Sequence, residues 1–587
     1  MKAEAPGARL RGVQLTLVDS VEEVENFLSW LGRSRRILGV DIETSGLSLA
    51  KDRIRLAQFG DTGHGWAIPY ENWRGLVEHT MKVYDRPMVG HHVKFDYGHL
   101  QHDGIPVRWE LTHDTQPMCF LHDSLGPQSL KPAAARYVDP LARAGQEELK
   151  AAMKKGKWDW GTVPIDHPLY WAYGALDPVL TAMLAEELLP TVMQYREAYD
   201  LEMAVERILS NMEMRGIRID VEYCEATLRD LKWKLSTLLE ELHPLSPFAT
   251  QEVVTALQDE GVELTKLTDA GKLSVDEDVL SHIDNPLAQK ILEARKLDKL
   301  ISAYFMNFLH YRTDDVLNTH IRQLAARTGR MSCSEPALQQ VPKNSLVRDA
   351  FIPREGNQIV LCDYDNQELR VAAGLSGDVK MMDAFEHNRD LHYESAANVF
   401  GDFDPKTEDG IAKRNIGKRG MYSKAYGAGI AKFAATVGVD EAVASAIYTA
   451  LSQTYPGLDR GMAAVTAKVR ERAVAEGSDT GYVVLGDGRR IMVKSAKAYV
   501  GFNAKIQGEC AVVLKRAIVD LDAAGLGDFL VLPVHDEQVF DIPREDVAEA
   551  VPVIEQVMTR EDYRVPLTVG AKVVDRWGDA YRKEKAA

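Results

Sequence analysis

Over the first 190 residues, short apolar runs alternate with stretches that repeat at helical spacing. Residues 37–43 form an apolar run ending in carboxylates, and residues 54–60 and 65–69 are two further strand candidates. Gly90 then leads into Val-Lys-Phe-Asp-Tyr-Gly-His-Leu, a predicted helix. This is α/β patterning. Residues 199–311 read as mostly helical. Within them, residues 201–216 carry apolar positions at helical spacing and stop at Gly216, a natural helix C-cap. Residues 291–311 predict a second long helix with basic residues on one face. After Arg322 the pattern is mixed. Gln-Ile-Val-Leu-Cys-Asp-Tyr-Asp reads as a strand ending in acid, and residues 390–455 are helical, broken by Gly-Asp-Phe-Asp-Pro and by glycines. Residues 529–543 predict two apolar strands joined by a tight polar turn at His535–Asp536. The late Trp-Gly-Asp-Ala-Tyr has no reading of its own.

A chain of 587 residues is too long for one core and suggests three to four units of about 150 residues each. Its 45% apolar and 27% charged residues are ordinary for a globular protein. A net charge of −17 argues against a polyanion partner only in the sum, because binding depends on local charge. The five cysteines, Cys119, Cys224, Cys333, Cys362 and Cys510, are odd in number and lack CxxC spacing. That fits a reduced, intracellular protein with no zinc or disulfide framework. The N-terminus lacks a signal-peptide core, and no run of about 18 apolar residues is present. There is no internal repeat and no long low-complexity stretch.

Two acidic constellations carry the chemistry. In the first, Asp41 and Glu43 lie two apart, so a strand points both to one face. Asp96 follows in His-His-Val-Lys-Phe-Asp, and Asp177 in Tyr-Gly-Ala-Leu-Asp-Pro. Taken singly, each acid reads as surface or capping. As a cluster they repel one another unless hard divalent cations sit between them. Two such ions about 3.5–4 Å apart can activate a water and stabilise a leaving alkoxide.

In the second, Asp363 ends an apolar strand with Glu368 shortly after, and Asp536 lies in a turn flanked by His535 and Glu537. Acids from a strand end and a turn can meet on one sheet and hold two Mg²⁺ for phosphoryl transfer. Between these segments, Arg414, Lys418, Tyr422 and Tyr426 recur every fourth residue, one stripe on a helix. Alone, the stripe reads as a solvated basic face followed by core aromatics. Between two metal-ready acids it suits a nucleoside triphosphate: cations for phosphates, rings for sugar and base.

The first set resembles the proofreading exonucleases of DNA polymerases: Asp-x-Glu, a central Phe-Asp, then Tyr-x-x-x-Asp, in that order. The resemblance implies that Asp41, Glu43, Asp96 and Asp177 hold metals, that Tyr173 orients the attacking water, and that Leu47 wedges against the terminal base. His92 departs from it, standing where Asn is usual. The second set resembles the motifs of family A, the DNA polymerase I family. DYDNQELR, RNIGKRGMYSKAYG and VHDE carry the likeness, with TGRMSCSEPALQQVP, LHYESAANVF and FNAKIQG in order. It covers essentially the whole chain.

The likeness implies a template-directed DNA polymerase with a 3′→5′ exonuclease. Its expected fold is an α/β RNase H-like domain followed by an α+β right hand. The expected units are 1–190 (exonuclease), 191–345 (thumb and start of palm), 346–395 (palm), 396–500 (fingers) and 501–587 (palm). Asp363 and Asp536 would bind Mg²⁺, two ions at each centre, with Mn²⁺ as an alternative. Glu537 would support that site, and His535 would position the primer end. Arg414 and Lys418 would grip the triphosphate, Lys418 also as a general acid, and His392 would touch a triphosphate oxygen. Tyr422 and Tyr426 would lie against the nucleotide and templating site. Arg330, Asn503 and Gln507 would read the minor groove, whose acceptors are common to all correct pairs. Glu368 would exclude a ribose 2′-OH, and Tyr422 would admit dideoxynucleotides. Asp365, Gln367 and Tyr499 stand where Ser, Ile and Arg are usual.

The expected partners are primer–template DNA, deoxynucleoside triphosphates and replication accessory proteins, with a monomer as the working unit in the cytoplasm. No leading 5′ nuclease and no long thumb insertion are expected, a pattern that resembles compact phage-encoded polymerases. One competing reading is a nuclease whose polymerase half only binds DNA. Others are a single-subunit RNA polymerase and a non-enzymatic replication scaffold. The paired acids and Glu368 weigh against them.

Overall fold

The computed structural model describes residues 1–4, 10–33, 35–268 and 270–582. Near the N-terminus, seven strands form one mixed sheet: β1 (Lys2–Glu4), β2 (Gln14–Leu17), β3 (Leu38–Thr44), β4 (Ile54–Gly60), β5 (His64–Pro69), β6 (Met88–Gly90) and β7 (Thr112–Asp114). Their order is β1-β2-β5-β4-β3-β6-β7. The three predicted strands of this region are β3, β4 and β5, and the predicted helix after Gly90 is α1 (Val93–His102).

A long helix, α2 (Pro168–Val192), crosses β3, β4 and β5 at very short range. Glycines make this possible: a Cβ on Gly39 would lie 2.0 Å from the Pro178 carbonyl oxygen, and one on Gly65 1.9 Å from that of Ala175. Thus α2, which carries Asp177, is pressed onto the sheet that carries Asp41. It runs two residues beyond the expected boundary at 190.

The predicted helix ending at Gly216 is α3 (Arg196–Arg215). It packs on α1 on one side and on α7 (Gly501–Ala523) of the C-terminal half on the other. Fully buried Glu202 of α3 anchors that junction, accepting from Lys515 Nζ at 2.7 Å and from Arg489 Nη1 at 2.5 Å. The second predicted helix begins earlier than expected, at Pro286, behind the Asn285 cap. It passes through a π-helical turn, Leu300–Phe305, into Met306–Tyr311.

The C-terminal half centres on an antiparallel sheet of β8 (Asn357–Tyr364), β9 (Leu530–Val534), β10 (Glu537–Pro543) and β11 (Val569–Val574), in order β9-β10-β8-β11. Residues 390–455 form helices as expected: α5 (Leu391–Phe400) and α6 (Glu408–Ala425) are followed by Ile430–Val437 and Glu441–Thr454. Before them, α4 (Gln367–Ser376) leaves β8 through Asn366 in the left-handed region. Gly417 lets α5 and α6 touch, since a Cβ there would be 2.4 Å from the His392 carbonyl oxygen. The late Trp577–Tyr581 turn has a clear place: Trp577 is fully buried in the same core as β8 and β10.

Candidate active sites

In the N-terminal sheet, the period of two on β3 puts Asp41 and Glu43 on one face. Asp177 comes down from α2, and single carboxylate oxygens of Asp41, Glu43 and Asp177 all lie within 4.8 Å of one another. Asp96 does not join this trio. It stands beside it on α1, where its Oδ1 accepts the Ile42 N–H at 3.0 Å. Burial, followed by the Asp96, Asp177 and Glu43 charges, pushes Asp41 well above the usual carboxylate range. Burial and Asp177 push Glu43 up to about 8. A site of this kind asks for a cation. Part of the answer is Lys131, which sequence reasoning missed. It is buried and forms an ion pair with Asp177.

Tyr173 lies one helical turn before Asp177, so both face the cluster. Leu47 is 53% exposed and lines a cavity of about 240 Å³ with His92, Phe95 and Arg322. His92 caps α1 with φ 62°, a left-handed conformation that Asn adopts more readily than most residues. Burial and nearby Lys94 lower its pKa to about 4, and Nδ1 lies 3.1 Å from Gln116 Oε1. The ring is therefore neutral at pH 7, as an Asn would be.

In the C-terminal sheet, Asp363 on β8 pairs in register with Glu537 on β10, and the two-residue turn before β10 brings Asp536 beside them. His535 starts that turn with φ 59°. Burial, then the Asp536 and Glu537 charges, raise Asp363 to about 7. Its buried Oδ1 has no hydrogen-bond partner among the described residues. An orphaned acceptor among hard oxygen donors fits a divalent cation.

Behind Glu537 stands Arg348, a residue outside every motif of the sequence. Its guanidinium lies 3.8 Å from Glu537 Oε1 and 4.3 and 4.4 Å from the ring centroids of Trp577 and Tyr581. These two rings of the C-terminal turn hold a buried cation against the site.

A cavity of about 290 Å³ opens beside these acids. Arg330, Gln367, Glu368, Tyr422, Tyr426, His535 and Asp536 all line it. Glu368 pairs with Arg330 and accepts from the Tyr426 hydroxyl. Tyr422 and Tyr426 lie 6.1 Å apart, centroid to centroid, as the fourfold spacing requires. Upstream on α6, Arg414 donates to Asp390 at 2.6 Å. His392 is buried, with its Nδ1 unpartnered among the described residues and its ring 6.1 Å from that of Tyr422. Burial, then Arg414, lower its pKa to about 4. Asn503 and Gln507 sit one turn apart on α7.

The unusual residues near β8 also have places. Asp365 turns away, accepting from the Thr568 hydroxyl at 3.1 Å. Gln367 is buried with its amide nitrogen unpartnered among the described residues. Tyr499 is 51% exposed; nothing in the structure explains its presence there.

Residues 221–579 match the sequence profile of DNA polymerase family A. Along its length the chain is 30% identical to a DNA polymerase of Mycobacterium phage L5, over 97% of both chains. It is 32% identical to the thermostable DNA polymerase I of Thermus filiformis, over 68% of this chain and 51% of that one. Its fold is shared with the POL domain of Pol1 from M. smegmatis, solved with DNA primer-template and dNTP. The TM-score is 0.77 at 22% identity, covering 96% of this chain and all of that one.

Proposed function

The chain belongs to DNA polymerase family A and is a template-directed DNA polymerase, and from this premise we propose that its two acidic centres divide the work between nucleotide addition and proofreading. The observation that carries the division is the pair of partly buried carboxylate clusters, one at each sheet.

At the C-terminal centre, Asp363 and Asp536 would hold two divalent cations, Mg²⁺ with Mn²⁺ as an alternative. When bound, these ions supply activation of the primer hydroxyl and charge stabilisation for the leaving pyrophosphate. Glu537, backed by Arg348, keeps the carboxylates in register. His535 positions the primer end at the cavity mouth. Arg414, released from Asp390, and Lys418 bind the triphosphate, and Lys418 gives a proton to the leaving pyrophosphate. Neutral His392 contacts a triphosphate oxygen. Tyr422 and Tyr426 hold the sugar and the templating position, while Glu368 closes the space of a 2′-hydroxyl. Arg330, Asn503 and Gln507 read the minor groove of the new pair.

At the N-terminal centre, Asp41, Glu43 and Asp177, with Asp96 adjacent, would hold two ions for 3′→5′ hydrolysis. Tyr173 orients the attacking water, and Leu47 separates the terminal base from its neighbour.

Primer–template DNA and deoxynucleoside triphosphates are the substrates. The residues proposed for both centres lie within one chain, which supports a monomer that replication accessory proteins would join. Among the described residues no helix is long and apolar enough to cross a membrane. Likeness to a phage enzyme supports work in the cytoplasm of a bacterial host.

The test is one labelled primer–template with Mg²⁺, with and without nucleotides. The unsubstituted protein should extend the primer with nucleotides and shorten it without them. Asp41→Ala should abolish shortening alone, and Asp363→Ala extension alone. Shortening that survives Asp41→Ala together with Glu43→Ala would refute the assignment of the N-terminal centre.

A further inference from the structure

The N-terminal centre contains a cation of its own. Lys131 lies on the helix Leu130–Tyr137, which packs against α2. Its side chain is 6% exposed and its ammonium pairs with Asp177. The same nitrogen lies 4.3 Å from the ring centroid of Tyr173, within cation–π range. One lysine therefore touches both α2 residues assigned to the reaction. The nearby Arg55 is committed elsewhere, donating to the carbonyls of Trp160 at 2.6 Å and Val163 at 2.5 Å.

Charge gives this arrangement a purpose. Four carboxylates would be neutralised by two divalent cations. A phosphodiester then brings one more negative charge into the same buried space. Lys131 supplies the matching positive one. Before the metals arrive, it limits the repulsion that also raises Asp41 and Glu43, lowering both in opposition to their acidic neighbours. A positive charge in contact with a ligand carboxylate also opposes entry of a cation.

Resting on the exonuclease reading above, we propose that Lys131 is a positioning residue of that centre. Its ammonium holds Asp177 and Tyr173 in place before divalent cations bind, and competes with those cations for the Asp177 carboxylate.

Mn²⁺ binding tests this apart from activity. The full chain carrying Asp363→Asn and Asp536→Asn leaves the N-terminal centre as the candidate metal site, and calorimetry or the Mn²⁺ paramagnetic signal reads its occupancy. Adding Lys131→Gln should tighten Mn²⁺ binding by about tenfold. Lys131→Met, which keeps an apolar stem, should do the same, and Lys131→Arg should bind like the parent. In chains with an intact polymerase centre, the neutral variants should also reach half-maximal shortening at about tenfold lower Mn²⁺, with the parent's Mn²⁺ dependence restored in Lys131→Arg. Melting curves identify any variant that fails to fold, and the other neutral variant then carries the comparison. Neutral variants that bind Mn²⁺ no tighter than the parent would overturn the inference, as would Lys131→Arg binding as tightly as Lys131→Gln. A parent that binds no Mn²⁺ here would overturn the exonuclease reading and the inference together.

Discussion

The carboxylate of Glu368 is held by the hydroxyl of Tyr426, and both line the cavity that Asp536 also lines. Arg330 pairs with it from the other side. A carboxylate fixed by two partners is a wall, not a mobile side chain. Glu368→Ala should therefore raise ribonucleotide incorporation by about 10²-fold relative to deoxynucleotides, measured as a ratio of kcat/KM in single-nucleotide extension. An unchanged ratio would remove Glu368 from sugar selection. Tyr426→Phe keeps the ring but releases one hold, and should shift the ratio by a smaller amount in the same direction.

Tyr422 is partly buried and lines the same cavity, where the Glu368 and Asp536 charges act on its phenol. Burial raises this phenol, so it remains a hydrogen-bond donor at neutral pH. On the proposed reading it would stand in for a missing 3′-hydroxyl on the incoming nucleotide. Tyr422→Phe should discriminate against dideoxynucleotides about 10- to 100-fold more strongly, the worth of one hydrogen bond to a charged or strongly polar group. Competition between chain terminators and deoxynucleotides in primer extension reads this directly. Equal discrimination in both proteins would show that the hydroxyl plays no such part.

These residues differ in how visible they are in the sequence. Asp41 and Glu43 declare themselves through the period of two in a strand, and the Arg414–Tyr426 stripe through the period of four in a helix. Asp363 and Asp536 are marked only by the strand end and turn they occupy. Their meeting depends on pairing β8 with β10, distant in sequence. Lys131 and Arg348 carry no local signal at all. Each is a single basic residue whose role comes from elements far along the chain: α2 for Lys131, the Trp577–Tyr581 turn for Arg348. Strand β11 carries no such signal, because it is an edge strand with no buried residue and so lacks a strong apolar alternation.

His92 shows how a departure from a familiar pattern can be chemically mild. The position requires a left-handed backbone and a neutral hydrogen-bonding side chain, and burial provides the neutrality. His92→Asn should leave the single-turnover shortening rate within about threefold at pH 7.5, since a neutral polar group replaces another. The unsubstituted protein should show no step in that rate between pH 6 and 7 that the variant lacks. A step present only with histidine would mean that the ring titrates in the working enzyme.

Arg348 should matter more than its distance from the substrate suggests. Its guanidinium is enclosed by Trp577 and Tyr581 and faces Glu537. Arg348→Ala leaves a buried carboxylate without its cation and two rings without their filling. The expected cost is about 3–5 kcal/mol, visible in denaturant unfolding. Arg348→Lys keeps the charge and should recover part of this. Primer extension should fall in both variants, more in Arg348→Ala, while shortening is retained wherever the protein remains folded.

Metal removal should expose the repulsion stored in both centres. Asp41 and Asp96 are pushed above their ordinary range, chiefly by burial; Glu43 is raised to about 8 and Asp363 to about 7. A carboxylate raised in the folded state holds its proton more tightly there than in the unfolded chain. Its contribution to stability is complete below the unfolded value near 4 and is lost as pH rises through the folded one. With a chelator present, Tm should therefore fall between about pH 5 and pH 8 for these groups. Mg²⁺ binds the ionised form, so its stabilising effect should run the other way, small near pH 5.5 and larger near pH 8. Glu43→Gln removes one of the repelling charges. It should raise the chelator-treated Tm at pH 8 by about 2–4 °C, and reduce the gain from Mg²⁺. A Mg²⁺ effect on Tm that is independent of pH, in the presence of intact carboxylates, would show that the acids are already ionised without metal, and that the buried charge is balanced by something other than protons and divalent ions.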